Sequence, residues 1–183
     1  DDFDRAYLDT DDLVRQCGFG GTLARWEAAR RAIVEGIDRS GTLLDVGCAN
    51  GLLMESIVKW SGHAIDPYGV DFAPKLVEVA RRRLPQWSQH LYVADARSWE
   101  SPRRFDFVHV RLDFGDVPRL LPLGERLIVS SDGSFRRALS ARAQPVADRL
   151  RALGLNVTGE AHRKSDEHQC EITVAWVDDP SRA

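Results

Sequence analysis

The chain has 183 residues, of which 43% are hydrophobic, so it can bury the core of one domain and little more. Its formal net charge of −3 gives no broad positive field, which argues against a protein that binds nucleic acid through the phosphates. No secretory leader or apolar run of membrane-spanning length is recognisable, so we expect a soluble, cytoplasmic protein.

The N-terminal region, residues 1–38, is expected to form a helical lid. Apolar residues recur at helical spacing from Thr22 to Asp38, which predicts one amphipathic helix. The glycine-rich stretch 18–21 precedes this helix and predicts a hinge. Phe19 and Trp26 are candidates for lining a substrate pocket, although large aromatic rings more commonly pack in a core.

Residues 40–183 predict a Rossmann-like α/β core. Apolar segments typical of strands alternate with helical segments, and this order indicates a mainly parallel sheet with helices on both faces. A C-terminal hairpin, with a polar turn at 162–168, would add an antiparallel edge. The predicted fold class is therefore a three-layer sandwich on a seven-strand, mostly parallel sheet. The expected strands are 42–46, 68–71, 91–94, 105–110, 126–130, 155–160 and 170–177, and the expected core helices are 52–60, 74–84 and 145–153.

The connection from the fourth strand to the fifth, residues 111–125, is unusually short for a parallel crossover. It contains Gly115, Pro118, Pro122 and Gly124, which disfavour a full helix. Two explanations remain open: the crossover helix is reduced to a turn, or part of the connection is missing from the chain.

The turn after the first strand is the first informative motif. Its sequence is Asp45-Val46-Gly47-Cys48-Ala49-Asn50-Gly51, a strand end rich in glycine directly before a helix. Such a turn places backbone N–H groups and the positive helix end around a small anion, and glycine lets a ligand approach the backbone. Many turns of this kind contain glycine for steric reasons alone, so the motif needs support from elsewhere in the chain.

Two acidic residues at the ends of the next strands provide that support. Asp71 ends the second strand, where a carboxylate can accept hydrogen bonds from ribose hydroxyls. Asp95 ends the third strand, where it can accept from an exocyclic adenine amine. Each has a structural alternative as a helix cap. Acids at three successive strand ends, counting Asp45, favour one nucleoside-shaped ligand.

Together these motifs, Leu43–Gly51, Tyr68–Pro74 and Ala94–Ala96, resemble the class I S-adenosylmethionine-dependent methyltransferase family of small-molecule type. The resemblance implies that the chain binds S-adenosylmethionine, transfers its methyl group and releases S-adenosylhomocysteine. It also implies that Asp71 binds the ribose, Asp95 the adenine amine, and that Phe72 flanks the adenine ring. Ala49 departs from the family, in which a middle glycine is common. The implied cofactor-binding residues are Asp45, Gly47, Cys48, Asn50, Gly51, Asp71, Phe72, Asp95, Ala96 and His109.

Catalytic side chains are less well defined, because methyl transfer from a sulfonium is already downhill and needs mainly alignment and exclusion of water. His109 and Asp113, at the end of the fourth strand, are the candidates for a catalytic base, and Asp132 after the fifth strand is a third. For His109 the interpretation as a packed strand residue is favoured, whereas Asp113 is equally consistent with a loop cap.

Two other enzyme functions share part of the pattern, and a non-catalytic cofactor binder or regulatory protein also stays open. A nicotinamide-dependent oxidoreductase would show the spacing G-x-G-x-x-G, which Ala49 breaks. A nucleic-acid methyltransferase would need a basic face and stacking aromatic residues, which the charge does not favour. The expected partner is thus a small methyl acceptor, with no nucleic acid and no membrane, for a monomer or homodimer. The cysteines Cys17, Cys48 and Cys170 fit no metal-ligand spacing, so no metal is expected.

Overall fold

The computed structural model describes residues 7–113, 116–132 and 145–180. Seven strands form one sheet in the order β3-β2-β1-β4-β5-β7-β6. Strands β1 to β5 are parallel, while β7 runs antiparallel to both β5 and β6, so the predicted fold class is confirmed. The strands are β1 (Gly41–Val46), β2 (Ile65–Asp71), β3 (Leu91–Val93), β4 (Phe105–Arg111), β5 (Gly124–Asp132), β6 (Val157–Ser165) and β7 (Cys170–Asp178).

Helices cover both faces of this sheet. On one face the N-terminal helices and α2 pack on apolar residues such as Leu43, Phe107 and Ile128. On the other face, α4 and α5 pack on Val108 and Val129. None of the described helices has the length and apolar character of a membrane-spanning segment. The α-helices are α1 (Leu23–Ala28), α2 (Leu52–Trp60), α3 (Pro74–Arg83), α4 (Val117–Leu120) and α5 (Val146–Ala152), with 3-10 turns at Arg15–Cys17, Arg31–Gly36, Pro85–His90 and Leu121–Leu123.

The prediction of a single helix from Thr22 to Asp38 is wrong, because the helix is interrupted between Ala28 and Arg31. Thr22 caps α1 by accepting a hydrogen bond from the Arg25 amide, and a separate 3-10 turn follows the break. Arg30 lies at the break with φ of −132°, and its side chain reaches under the sheet to Asp132. Trp26, Ile33 and Ile37 still face the core, whereas Leu23 is 52% exposed.

Two further differences concern the connections. The polar segment expected as the hairpin turn begins inside β6, where His162 pairs with Thr173 of β7. Polar composition suggested a turn, but β6 is an edge strand, and edge strands commonly carry charged residues. Between β4 and β5, the crossover is reduced to α4 and one 3-10 turn, which supports the first explanation for its short length. Gly115 and its neighbour Phe114 lie outside the described residues, as do residues 1–6 of the expected lid.

Candidate active site

A cavity of about 720 Å³ lies at the carboxyl ends of β1, β2 and β3. Parallel strands end at the same edge of a sheet, and open α/β sheets bind ligands there. The motifs therefore converge as expected, although they are far apart in the sequence. Six residues singled out from the sequence line this cavity: Gly47, Asp71, Phe72, Asp95, Ala96 and Asp113.

The glycine turn shapes the cavity without offering the anion site that its sequence suggested. The amides of Gly47 and Cys48 both donate to the Val70 carbonyl, at 2.8 and 3.2 Å, and the Ala49 amide donates to an Asp71 carboxylate oxygen at 2.9 Å. These N–H groups hold β1 against β2 and are not available to an anion. Gly47 contributes instead through its backbone, with φ of +80° and open space where a Cβ would stand.

The later residues of the turn act behind the cavity wall. Gly51 starts α2 with φ of +77°, and a Cβ there would lie 2.7 Å from the Leu84 side chain. Cys48 is buried in a small apolar cluster with Met54 between α2, α3 and β3. Neither Gly51 nor Cys48 lines the cavity. Their positions explain why the sequence needs small residues here, since α2 and α3 approach the turn closely.

Asn50 is fully buried and fastens the N-terminal segment to the turn. Its Nδ2 donates to the Leu13 carbonyl at 2.9 Å and to Gln16 Oε1 at 3.1 Å. Its Oδ1 accepts from the Cys17 thiol at 2.9 Å, and burial raises the pKa of that thiol to about 12. Cys17 and Tyr7 both line the cavity, a contribution the sequence motifs did not reveal.

Asp71 is held at the cavity wall by the backbone. Its two oxygens accept from the amides of Ala49 and Ala73, each at 2.9 Å. Burial raises the pKa of the Asp71 carboxyl, against the lowering effect of these hydrogen bonds. Each carboxylate oxygen has a second lone pair, so hydroxyl donors can still bind. Asp71 therefore supports the chain locally and keeps the capacity expected for ribose.

Asp95 and Phe72 form the more exposed side of the cavity. Asp95 makes a bidentate ion pair with Arg97, with distances of 2.7 to 3.1 Å, and hydrogen bonds from Arg97 lower the pKa of the Asp95 carboxyl to about 2. Arg97 belongs to none of the motifs recognised in the sequence. Phe72 is 62% exposed, which is unusual for phenylalanine and leaves much of the ring accessible to a ligand.

Asp45 and His109 are buried beneath the cavity. Asp45 Oδ1 lies 2.7 Å from His109 Nδ1, and His109 Nε2 lies 2.9 Å from Ser130 Oγ. His109 is 1% exposed and does not line the cavity, so the structure does not place it where a catalytic base meets an acceptor. The second oxygen of Asp45 is buried and has no hydrogen-bond partner among the described residues.

The other proposed acceptor-side residues separate into two groups. Asp113 lines the cavity, together with Asp116, which caps α4. Phe19 and Trp26 do not line it: Phe19 is buried under the Arg30 guanidinium, and Trp26 packs against Trp60 with ring centroids 6.0 Å apart. Their alternative interpretation as core residues fits this placement. Asp132 is also buried, in an ion pair with Arg30 and 3.6 Å from Arg111.

A parallel sheet closed by an antiparallel β7, with a glycine turn after β1 and acids after β2 and β3, defines the class I methyltransferase architecture. Residues 43–122 match the family model of the methyltransferase domain. No curated protein sequence matches the chain.

Solved structures share the fold over nearly the whole chain. The N-methyltransferase NodS from Bradyrhizobium japonicum, in complex with S-adenosylhomocysteine, is 15% identical, with 95% of this chain and 91% of that chain covered and a TM-score of 0.61. The magnesium protoporphyrin IX methyltransferase ChlM from Synechocystis, with bound S-adenosylhomocysteine, is 16% identical, with 96% and 97% covered and a TM-score of 0.61. The ribosomal protein L11 methylase from Lactobacillus delbrueckii is 13% identical, with 87% and 81% covered and a TM-score of 0.60.

The chain thus has the fold of S-adenosylmethionine-dependent methyltransferases and matches the methyltransferase domain over residues 43–122. Its cavity fits that cofactor in three respects. Just behind the cavity wall, Asp45 has a buried oxygen without a hydrogen-bond partner among the described residues, which suits the ammonium group of the amino-acid part. Gly47 leaves open space at the backbone, and the Asp71 carboxylate accepts hydroxyl donors.

Proposed function

We propose that the protein transfers the methyl group of S-adenosylmethionine to a small-molecule acceptor. The observation that carries this proposal is the charge of the cavity wall. Among the described residues, four carboxylates line the cavity against one guanidinium, that of Arg97, and this guanidinium is already paired with Asp95. A wall of this sign repels nucleic-acid phosphates and favours neutral or cationic acceptors.

Size supports the same conclusion. A cavity of about 720 Å³ lies within the range of sites that bind small molecules, and the cofactor itself takes up part of it. The similar structures do not choose the acceptor, because they include a magnesium protoporphyrin IX methyltransferase and a ribosomal protein L11 methylase. The charge and size of this chain's own cavity therefore carry more weight.

Bound cofactor would supply an electrophilic methyl group on a sulfonium, and the protein's residues would bind and orient it. Asp71 is suited to the ribose hydroxyls, Asp95 to the adenine amine and Phe72 to the face of the ring. Catalysis then depends on aligning the acceptor and excluding water, since the transfer is downhill. Asp113 is the cavity carboxylate nearest in sequence to the end of β4 and is our candidate for a base where the acceptor needs one.

The N-terminal segment 7–17 would cover the acceptor. Tyr7 and Cys17 line the cavity, and Asn50 fastens the segment to the glycine turn. Residues 19–37 differ, because most of their large apolar side chains are buried against the sheet. We therefore narrow the expected lid from 1–38 to the part before Gly18. Deleting residues 1–12 should abolish methyl transfer, while S-adenosylhomocysteine still binds with reduced affinity; full turnover in the truncated protein would contradict the cover.

The deciding experiment measures transfer of a radiolabelled methyl group from S-adenosylmethionine to separate panels of small amines, phenols and carboxylic acids, and to total RNA and ribosomal protein. We expect label in a small molecule. Label found only in RNA or protein would contradict the proposal.

Asp113→Asn is the matched variant for that experiment. It removes one carboxylate on the acceptor side while leaving the Asp71 and Asp95 contacts in place. We expect turnover or acceptor KM to change while the Kd of S-adenosylhomocysteine does not. A loss of cofactor affinity equal to the loss of turnover would place Asp113 in the cofactor site instead.

A further inference from the structure

A buried chain of hydrogen bonds joins Asp45 of β1, His109 of β4 and Ser130 of β5. Asp45 and His109 are directly opposed in the parallel pairing of β1 with β4, so their side chains leave the sheet on the same face. All three side chains are at most 2% exposed. The methyltransferase activity does not explain why three polar groups are kept together in the centre of the sheet.

The protonation pattern follows from the partners. An ionised Asp45 can only accept, so His109 Nδ1 carries the proton of the 2.7 Å hydrogen bond. In the neutral ring, Nε2 is then an acceptor, and the Ser130 hydroxyl donates to it across 2.9 Å. Every polar side-chain atom in this series of hydrogen bonds has a hydrogen-bond partner except Asp45 Oδ2. Burying one carboxylate oxygen without a partner is costly, unless a ligand supplies the missing donor.

The position of Asp45 indicates where that donor would come from. The residues that follow it, Val46 and Gly47, line the cavity. Asp71 and Cys17, also in the wall, have pKa values raised first by burial and further by the negative charge of Asp45. Asp45 thus acts electrostatically on the cavity from just behind its wall.

We propose that His109 and Ser130 are positioning residues that hold the Asp45 carboxylate with Oδ2 directed to the ammonium group of the cofactor's amino-acid part. The inference rests on the proposed function only for its cofactor and is independent of the methyl acceptor. His109 fixes Oδ1, and Ser130 fixes the ring and its tautomer. Because the carboxylate is already oriented, less conformational entropy is lost when the ammonium binds.

The order Asp–His–Ser also occurs in acyl-transfer enzymes, where the serine is the nucleophile. Here no residue of β5, the strand of Ser130, lines the cavity, whereas Val46 and Gly47, which follow Asp45, do, so the end of the hydrogen-bond chain next to the cavity is Asp45. The hydrogen-bond chain therefore serves Asp45 and not a nucleophile.

The test compares two ligands by calorimetry. S-adenosylhomocysteine carries the ammonium group, while 5′-methylthioadenosine has the same nucleoside without the amino-acid part. In His109→Leu, we expect the Kd of S-adenosylhomocysteine to rise about ten- to hundredfold, the scale of losing a hydrogen bond to a charged group, with little change for methylthioadenosine. His109→Asn keeps a donor near the Nδ1 position and should restore most of the affinity.

Ser130→Ala keeps the proposal testable if His109→Leu fails to fold. It should cause a smaller but equally selective loss, roughly three- to tenfold for S-adenosylhomocysteine alone. Equal losses for both ligands, or no loss for either, in the folded variants would show that the chain of hydrogen bonds is only structural and would overturn the proposal. A wild-type protein that binds neither ligand would instead refute the cofactor assignment on which both proposals depend.

Discussion

The two halves of the sheet's carboxyl edge use their polar residues differently. After β2 and β3, Asp71 and Asp95 stand in the cavity wall with oxygen atoms accessible to a ligand. At the ends of β4 and β5, His109 and Asp132 are buried and occupied by other residues of the protein. The ends of β2 and β3, the open half, therefore keep hydrogen-bonding atoms available to the cofactor. The ends of β4 and β5, the buried half, use theirs for contacts within the protein.

This difference changes where acceptor recognition is expected. The strand ends of β4 and β5 are the usual place to look for a base, yet their side chains face inward here. The cavity beside them is lined by Asp113 and Asp116 from the connection and by Tyr7 and Cys17 from the N-terminal segment. Acceptor specificity should therefore depend on this connection and on the N-terminal segment, while the cofactor site depends on the sheet.

The largest expected effect concerns the ion pair between Arg30 and Asp132 in the buried half. Asp132 neutralises Arg30, which is 4% exposed; burial lowers the pKa of that guanidinium and Asp132 opposes the shift. Asp132→Ala leaves the buried charge uncompensated and should reduce the free energy of unfolding by about 3–5 kcal/mol. Urea unfolding measures this change.

The control is Asp148→Ala, which removes an exposed carboxylate 3.3 Å from Arg151 on α5. Exposed pairs of this kind contribute about 0–1 kcal/mol. If Asp132→Ala costs no more than Asp148→Ala, the ion pair under β5 does not hold the N-terminal layer, and the contrast between the two halves is lost.

The second prediction tests the open half. Asp71→Ala should weaken binding of S-adenosylhomocysteine by about 1–3 kcal/mol, because two acceptor oxygens at the ribose site are removed. Stability should fall as well, since the amides of Ala49 and Ala73 lose their partner. Calorimetry and urea unfolding separate the two effects. Unchanged affinity with reduced stability would mean that Asp71 is a structural cap only.

A third prediction concerns pH and follows from the raised pKa of Asp71. Burial is the main cause of that shift, so the fold is less stable with Asp71 ionised than with Asp71 protonated, and its stability rises as the pH falls through the raised pKa. Binding has the opposite sign, because a protonated carboxyl is a poorer acceptor for hydroxyl donors. Relative to Asp71→Asn, the wild type should therefore gain stability and lose cofactor affinity at low pH. Parallel changes in both quantities would contradict the assignment.

The same contrast explains what could be predicted from the sequence. The strand ends at Gly47, Asp71 and Asp95 were found because each lies in a short local motif whose meaning is set by neighbouring residues. The mostly parallel sheet followed from the alternation of strands and helices. These features depend on local sequence and on general rules of α/β topology.

The contacts of the buried half could not be predicted in the same way. The partner of Asp132 is Arg30, about a hundred residues earlier, and no local signal joins them. His109 was singled out as a candidate base and cofactor-binding residue, but its burial between Asp45 and Ser130 depends on strand register, which the sequence does not reveal. Arg97 was within reach of sequence reasoning, since an arginine two residues after Asp95 is close enough to pair with it.

The fourth prediction uses two glycines that differ only in location. Gly47 and Gly154 both have positive φ, +80° and +77°, and neither would place a Cβ within 4 Å of another atom. Alanine at either position should cost about 1–2 kcal/mol of stability, because an L-residue is strained there. Only Gly47→Ala should also weaken cofactor binding, since only Gly47 lines the cavity. Equal cofactor affinities in the two variants would exclude a close approach of the cofactor to Gly47.

The smallest expected effect concerns the ion pair in the open half. Arg97 and Asp95 are both well exposed, and solvent screens their attraction, so Arg97→Gln should leave the midpoint of urea unfolding unchanged. The guanidinium nevertheless occupies the carboxylate that the adenine amine would use. We therefore expect S-adenosylhomocysteine to bind Arg97→Gln up to about fivefold more tightly than wild type, the scale of losing an exposed pair.

Salt should raise the wild-type affinity towards that of the variant by screening the pair, and have little effect on the variant. NMR titration should place the pKa of Asp95 nearer its ordinary value of 3.8 in the variant than the value of about 2 in the wild type. Weaker binding in Arg97→Gln would show that Arg97 holds the cofactor itself, and the open half would then include a cation as well as its carboxylates.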